Sequence, residues 1–334
     1  MKIIVPMAGM GKRMRPHTLT TPKPLLPIAG KPIVQRLVED IAQISHEPIE
    51  EIAFIIGDFG PEIEQTLIEI AESLGARGSV WHQKEALGTA HAILCAKSVM
   101  EGPLIVAFAD TLFKADFKLD DTKDGVLWVQ QIDNPEQFGV VVVDDQDNIK
   151  EFVEKPTEFV SDLAMIGIYY FKDSLILRNE LQYLIDNDVI KGGEYQLPDA
   201  LRNMTQKGMK FAPGTVIDWL DCGNKDATVR TNQRILEFNK DKNWISDSCE
   251  QENTVIISPC YIGENVKLKN CVIGPHVSIG SGSVIEKSII SNTIVQENTV
   301  VKDANFANSM IGNFVQYYGQ AHDVSLGDYS SHGK

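Results

Sequence analysis

Residues 8–32 read AGMGKRMRPHTLTTPKPLLPIAGKP: small residues, three lysines, two arginines and not one acid. The chain carries a formal net charge of −15, yet its first acidic residue is Glu39. A cationic island on an acidic protein implies a bound polyanion. Gly9 and Gly11 follow an apolar run, and glycines let successive backbone N–H groups close on a phosphate. Two familiar fingerprints are excluded. GxGxxG would need glycine at Met14, and GxxxxGK[ST] is absent here. Gly9-Met10-Gly11 alone fits a tight turn beside surface charge equally well. Two carboxylates also interrupt apolar runs: Asp110 ends LIVAFAD, and Asp221 sits in WLDCG. Each, taken singly, reads as a turn or helix cap.

These residues need elements to position them. KIIVPMA, EIAFIIG, LIVAFAD, GVLWVQQ, GVVVVD and MIGIYYF read as strands. Residues 32–45, 61–75, 88–100, 173–187 and 195–207 carry helical spacing. Strands separated by helices predict a mostly parallel sheet covered on both faces, with ligands beyond the carboxyl ends of the strands. The loops after KIIVPMA and LIVAFAD should then face one site. The last 90 or so residues differ: IGENVK, IGPHVS and IGSGSV are hexads beginning Ile-Gly. That period predicts a parallel β-helix of roughly three or four coils between 255 and 316. Residues 230–244 read as a linking helix, and 320–334 as a final partial coil or a disordered tail.

Composition narrows the class. No window approaches eighteen apolar residues, so no membrane span is expected. The apolar run at the N-terminus is too short for a signal peptide. Five scattered cysteines without CxxC predict reduced thiols in the cytoplasm and no zinc site. A pI near 4.9 argues against general nucleic-acid binding.

GMGKRMRP followed by PKPLLPIAGKP closely resembles the signature of the sugar-1-phosphate nucleotidylyltransferases. The resemblance continues, in family order, through QKEALGTAHAI, FAD, FGVV, EKP, IGIYYF, GEYQLPDAL and WLDCG, and covers residues 1 to about 225. It implies an α/β fold: a mixed, mostly parallel Rossmann-like sheet over residues 1–240, then a left-handed parallel β-helix over 241–334. It implies transfer of a nucleoside monophosphate from an NTP to a sugar 1-phosphate, releasing pyrophosphate. Both reactants are anions, so the protein must bring them together and neutralise charge; no covalent protein nucleophile is required.

By this resemblance Arg13, Lys23 and Asp110 are catalytic, and Asp110 and Asp221 hold Mg²⁺. Arg13 suits bidentate phosphate contact and Lys23 a point charge. Ala8, Gly9, Gly11, Lys12, Gln83, Gly88 and Thr89 would bind the nucleotide; Lys12 departs from the family's usual threonine. Gly139, Glu154, Lys155, Gly167 and Glu194 would bind the sugar phosphate. Arg15 reads equally as a surface arginine, Asp218 as structural, and Trp219 as pocket wall or core. Gln83 resembles the family's base reader: its amide can accept from N3–H and donate to O4 of uracil or thymine, but guanine offers the same pair. The block around it looks more like the pyrimidine-using members, which points to dTTP or UTP, with glucose 1-phosphate the first sugar to test. The alternatives are a mannose-1-phosphate guanylyltransferase and a non-catalytic sugar-nucleotide binder. The hexads also occur in acyltransferases, which would need a base such as His276 or His322. Exposed coil faces imply a homo-oligomer built through residues 250–320.

Overall fold

A computed structural model describes residues 1–320 except Met10 and Phe117, together with Ser325 and residues 327–330. The chain divides into two compact units. The first comprises Met1–Leu26 and Lys31–Asn224, the second Pro27–Gly30 and Lys225–Lys334. The expected boundary at 240 moves back, because helix Lys225–Phe238 groups with the second unit.

In the first unit the strands are β1 (Lys2–Pro6), β2 (Glu51–Ile56), β3 (Arg77–His82), β4 (Leu104–Ala107), β5 (Thr111–Lys114), β6 (Gly125–Gln131), β7 (Gly139–Val143), β8 (Ile149–Glu154), β9 (Leu163–Phe171), β10 (Phe211–Thr215) and β11 (Asp218–Asp221). Its helices are α1 (Ile33–Ile44), α2 (Pro61–Ser73), α3 (Thr89–Cys95), α4 (Ser174–Asp186) and α5 (Leu197–Gln206). Nine strands form one sheet in the order β3-β2-β1-β4-β9-β6-β10-β8-β7. From β3 to β4 all neighbours run parallel. All six residues of β2 are buried, as a sheet covered on both faces requires.

The expectation of a mostly parallel sheet is corrected beyond β4. There β9 runs antiparallel to β4 and β6, and β8 antiparallel to β7 and β10; only β10 and β6 pair parallel. The reason for β7–β8 is local. Asp144 Oδ1 accepts from the Gln146 and Asn148 N–H groups at 2.9 Å, and Asp147 is left-handed at φ 60°. So short a turn permits only a hairpin, because parallel pairing needs a dozen or more residues to cross over. β5 and β11 form a separate antiparallel pair. α3 stops at Cys95, short of the expected residue 100.

The second unit is a stack of short parallel strands in three columns, two of five strands and one of four. This is the pattern of a parallel β-helix. Ile262, Leu268, Ile273, Ile279, Ile285, Ile290 and Val301 fill its interior. Two corrections follow. The first strand, Trp244–Ile245, ends the residues read as helix, and that helix runs Lys225–Phe238 instead. The repeat also falls short of three full hexads. Cys260 pairs with Val277, and Ser278 with Ile294, repeats of 17 and then 16 residues. The shortening lies at corners where asparagines stack in the left-handed region, which they tolerate. Asn253 Nδ2 donates to Asn270 Oδ1 at 2.8 Å, and Asn292 Nδ2 to Asn308 Oδ1 at 2.6 Å.

Candidate active site

Because β1 and β4 are parallel neighbours, the loops that follow them open on one cavity. In the β1 loop Gly11 takes φ 57°, ψ 38°, and Thr18 Oγ1 donates to its carbonyl at 2.8 Å. A Cβ at Gly11 would stand 3.0 Å from Lys23 Cβ, so glycine brings the loop against Lys23. The chain then turns through Lys12–Met14, burying Met14 and leaving Lys12 and Arg13 exposed.

This first cavity, of about 430 Å³, is lined by Ala8, Gly9, Gly11, Lys12, Lys23, Gln83 and Gly88, among others. A second, of about 410 Å³, is lined by Gly139, Glu154, Gly167, Trp219 and Asp221. Arg13, Thr89, Phe108, Asp110 and Glu194 line both. Of the residues assigned a binding, catalytic or metal role from the sequence, Lys155 alone lies outside both linings. It is exposed, its backbone is left-handed at φ 46°, and its N–H donates to the Phe138 carbonyl at 3.1 Å. Arg15 and Asp218 also lie outside them.

Each wall has a local cause. Gly88, at φ 107°, leaves no room for a side chain: a Cβ would stand 2.4 Å from the Tyr195 carbonyl. Ala90 N–H donates to that carbonyl at 3.0 Å and Tyr195 N–H to the Leu87 carbonyl at 2.9 Å, which ties the QKEALGTAHA and GEYQLPDAL segments together. Gly139 faces Glu154 in register on β7–β8, and a Cβ there would meet Glu154 Oε2 at 2.8 Å. Gly167, at φ 86°, sits where β9 breaks register with β6, and its carbonyl accepts from Phe108 N–H at 2.9 Å. Trp219 is a pocket wall: it stacks edge-on against Phe138, centroids 4.8 Å apart, and Nε1 donates to Thr111 Oγ1 at 3.2 Å. Phe108, Phe138 and Tyr169 also line the second cavity and were not singled out. Each lies inside a quoted block, next to or near a site glycine or acid, which is the signal that could have found them.

Asp110 and Asp221 sit at one end of the β5–β11 pair, where Cys222 N–H donates to the Asp110 carbonyl at 2.9 Å. Lys23 Nζ donates to Asp110 Oδ2 at 2.8 Å. Burial pushes the Asp221 carboxyl above its usual range. The Gly223 N–H, at 2.9 Å, pulls it down, the Asp110 charge pushes it up again, and Lys23 and Arg13 oppose. Two carboxylates that repel one another where the two cavities meet fit a hard divalent cation, with phosphate and water completing its oxygen shell. Among the described residues, no cluster of three or more His, Cys, Asp or Glu could hold a metal by itself.

His276 is engaged elsewhere. Its Nε2 meets Glu237 Oε1, and this bond, first among its causes, draws the Glu237 carboxyl below its usual range. His322 lies outside the described residues, as does most of the segment 320–334.

A strand followed by a glycine loop beside two cavities that share Arg13 and Asp110, with Lys23 and Asp221 close by, suits the handling of phosphates. Residues 2–237 match the family described as nucleotidyl transferase. The chain is 29% identical to the low-salt glycan biosynthesis nucleotidyltransferase Agl11 of Haloferax volcanii, over 93% of this chain and 92% of that one. It is 25% identical to a glucose-1-phosphate thymidylyltransferase of Streptomyces griseus, over 99% and 98%. A solved UDP-glucose pyrophosphorylase complexed with UDP-glucose shares the fold: TM-score 0.59, 24% identity, 71% of this chain and 98% of that one. The chain therefore belongs to the nucleotidyl transferase family, among its sugar-1-phosphate nucleotidylyltransferases. It is an enzyme of that class. No helix among the described residues is long and apolar enough to cross a membrane.

Proposed function

We propose that this enzyme moves TMP or UMP from dTTP or UTP to glucose 1-phosphate and releases pyrophosphate. The observation that carries the reading is the overlap of the two cavities at Arg13 and Asp110. The Gln83–Gly88–Thr89 side takes the NTP. The Gly139–Glu154–Gly167 side takes the sugar phosphate, with Glu154 and Glu194 accepting from sugar hydroxyls. The two anions then meet where Arg13 and Lys23 can offset their charge. Held there, the sugar phosphate oxygen attacks the α-phosphorus in line as pyrophosphate leaves, and positioning supplies most of the rate. Asp110 and Asp221 would hold Mg²⁺, whose charge offsets that of the phosphates. The thymidylyltransferase relative, similar along its whole length, supports a pyrimidine base.

We place the enzyme in the cytoplasm, in keeping with its five free cysteines. We assign a homo-oligomer to the second unit, where Val255 and Ile289 stand 58% and 54% exposed in one strand column, with Val272 on the coil between them.

The test is pyrophosphate release from dTTP, UTP, GTP, CTP and ATP, each with Mg²⁺ and glucose 1-phosphate, mannose 1-phosphate or N-acetylglucosamine 1-phosphate. Release from dTTP or UTP with glucose 1-phosphate is expected. Release from GTP with mannose 1-phosphate alone would favour a guanylyltransferase. Silence across the panel would favour a sugar-nucleotide binder.

A further inference from the structure

Gln83 follows β3, and His91 lies on α3. Gln83 Nε2 stands 3.0 Å from the Gly88 carbonyl oxygen and 3.2 Å from His91 Nδ1. A carbonyl oxygen can only accept, so the amide atom facing Gly88 is the NH₂ group, and this contact fixes which way the amide is turned. The second amide hydrogen is directed to His91 Nδ1. That nitrogen must therefore offer a lone pair, which makes His91 a neutral imidazole with its proton on Nε2. Both amide hydrogens are thus committed, and Oε1 is the amide atom left for a ligand. The sequence alone allowed Gln83 both to accept and to donate; here its donors are spent within the protein.

We propose that His91 is a positioning residue that locks Gln83 as a pure acceptor and so restricts the site to nucleobases with a ring N–H donor. The proposal rests on the reading of Gln83 as the base reader. Uracil and thymine present N3–H and guanine presents N1–H to Oε1. Cytosine N3 and adenine N1 present lone pairs and meet a repulsive contact, a case of specificity built by rejection. Donors to O4 must then come from elsewhere in the pocket.

The test uses the full-length enzyme with UTP and CTP, measuring kcat and KM separately. His91→Leu removes the acceptor at similar bulk, while His91→Asn places Oδ1 near the position of Nδ1. His91→Leu should raise the KM for UTP about fivefold to tenfold, the loss of roughly one hydrogen bond. It should leave kcat within about twofold and cut the UTP-over-CTP preference about tenfold, as the freed amide turns to donate to cytosine; His91→Asn should restore both. Unchanged KM and preference in His91→Leu would overturn the proposal. So would a uniform fall in kcat for every nucleotide that His91→Asn fails to rescue. Gln83→Ala separates the two readings. If it keeps the base preference, Gln83 is not the base reader; if it loses the preference while His91→Leu does not, His91 alone is refuted. ¹⁵N chemical shifts of the wild-type imidazole need no variant to fold: an Nε2–H tautomer is expected, and Nδ1–H would refute the proposal.

Discussion

Asp110→Asn separates the chemistry of the site from its architecture. The carboxylate pairs with Lys23 at 2.8 Å, the Lys23 side chain being 13% exposed and that of Asp110 41%. Removing the charge takes one partner from a half-exposed charge-assisted bond, a loss of about 1–2 kcal/mol. It also relieves the repulsion that helps push Asp221 up. The two effects oppose, so stability should shift by less than about 1 kcal/mol. Catalysis has no such compensation. The variant gives up half of the carboxylate pair that can hold a divalent cation, and electrostatic stabilisation of this kind is worth about 3–5 kcal/mol of barrier, or roughly 10²- to 10⁴-fold in rate. Pyrophosphate release at saturating substrates reads the rate, and denaturant unfolding reads the stability. Turnover within about threefold of wild type in a folded variant would refute the reasoning. A large loss of stability would show that Asp110 serves the fold first.

Three further outcomes are expected. Gly139→Ala places a Cβ 2.7 Å from Met165 Cε and 2.8 Å from Glu154 Oε2. It should raise KM for the sugar phosphate about tenfold and leave KM for the NTP unchanged; equal changes in both would remove Glu154 from the sugar site. Asp40 on α1 is pushed up to about 6, chiefly by burial, with Arg36 opposing. A raised carboxylate holds its stability below the unfolded value near 4 and loses it as pH rises through about 6. Asp40→Asn should therefore be more stable than wild type by about 2–3 kcal/mol at pH 8, with the gain gone near pH 4; a pH-independent difference between the two melting curves would contradict this. Light scattering should give a mass above the 37.1 kDa of one chain, and Ile289→Glu should lower it; a monomer from the start would exclude assembly through this face.

What could be read in the sequence was what is decided locally. The glycine loop, Lys23, Asp110 and Gln83 each sit at a strand end or in a turn whose residues announce it, and parallel neighbours bring such ends together without further information. The pairing of β9 with β4 and β6 was not legible, because a run such as MIGIYYF satisfies either direction. The direction is set by partners more than thirty residues away, with β6 at Gly125–Gln131 on one side. β3, RGSVWH, is half-polar because it is the edge of the sheet, and an alternation so weak does not announce a strand. The coil period misled for a physical reason too: hexads count residues along the faces, but stacked left-handed asparagines shorten the corners.

The same division explains why Asp110 and Asp221 could be paired from the sequence only through the family resemblance, whereas the glycines and cations pointed to an anion by themselves. Glycines and cations act wherever a strand delivers them, since a phosphate accepts from several directions. Asp110 and Asp221 matter only together, and 110 residues separate them in the chain. What joins them is the pairing of Thr111–Lys114 with Asp218–Asp221, four residues on each side. Neither strand is long enough to be conspicuous alone. Yet this ribbon also carries Trp219, whose indole is fixed by Thr111 on the facing strand. One short antiparallel pair therefore sets both the charge at the junction and the aromatic wall of the second cavity. Slipping its register by one residue would turn both side chains to the opposite face at once, so changes in this ribbon, remote from Arg13 in the sequence but beside it in the cavity, should strongly alter catalysis.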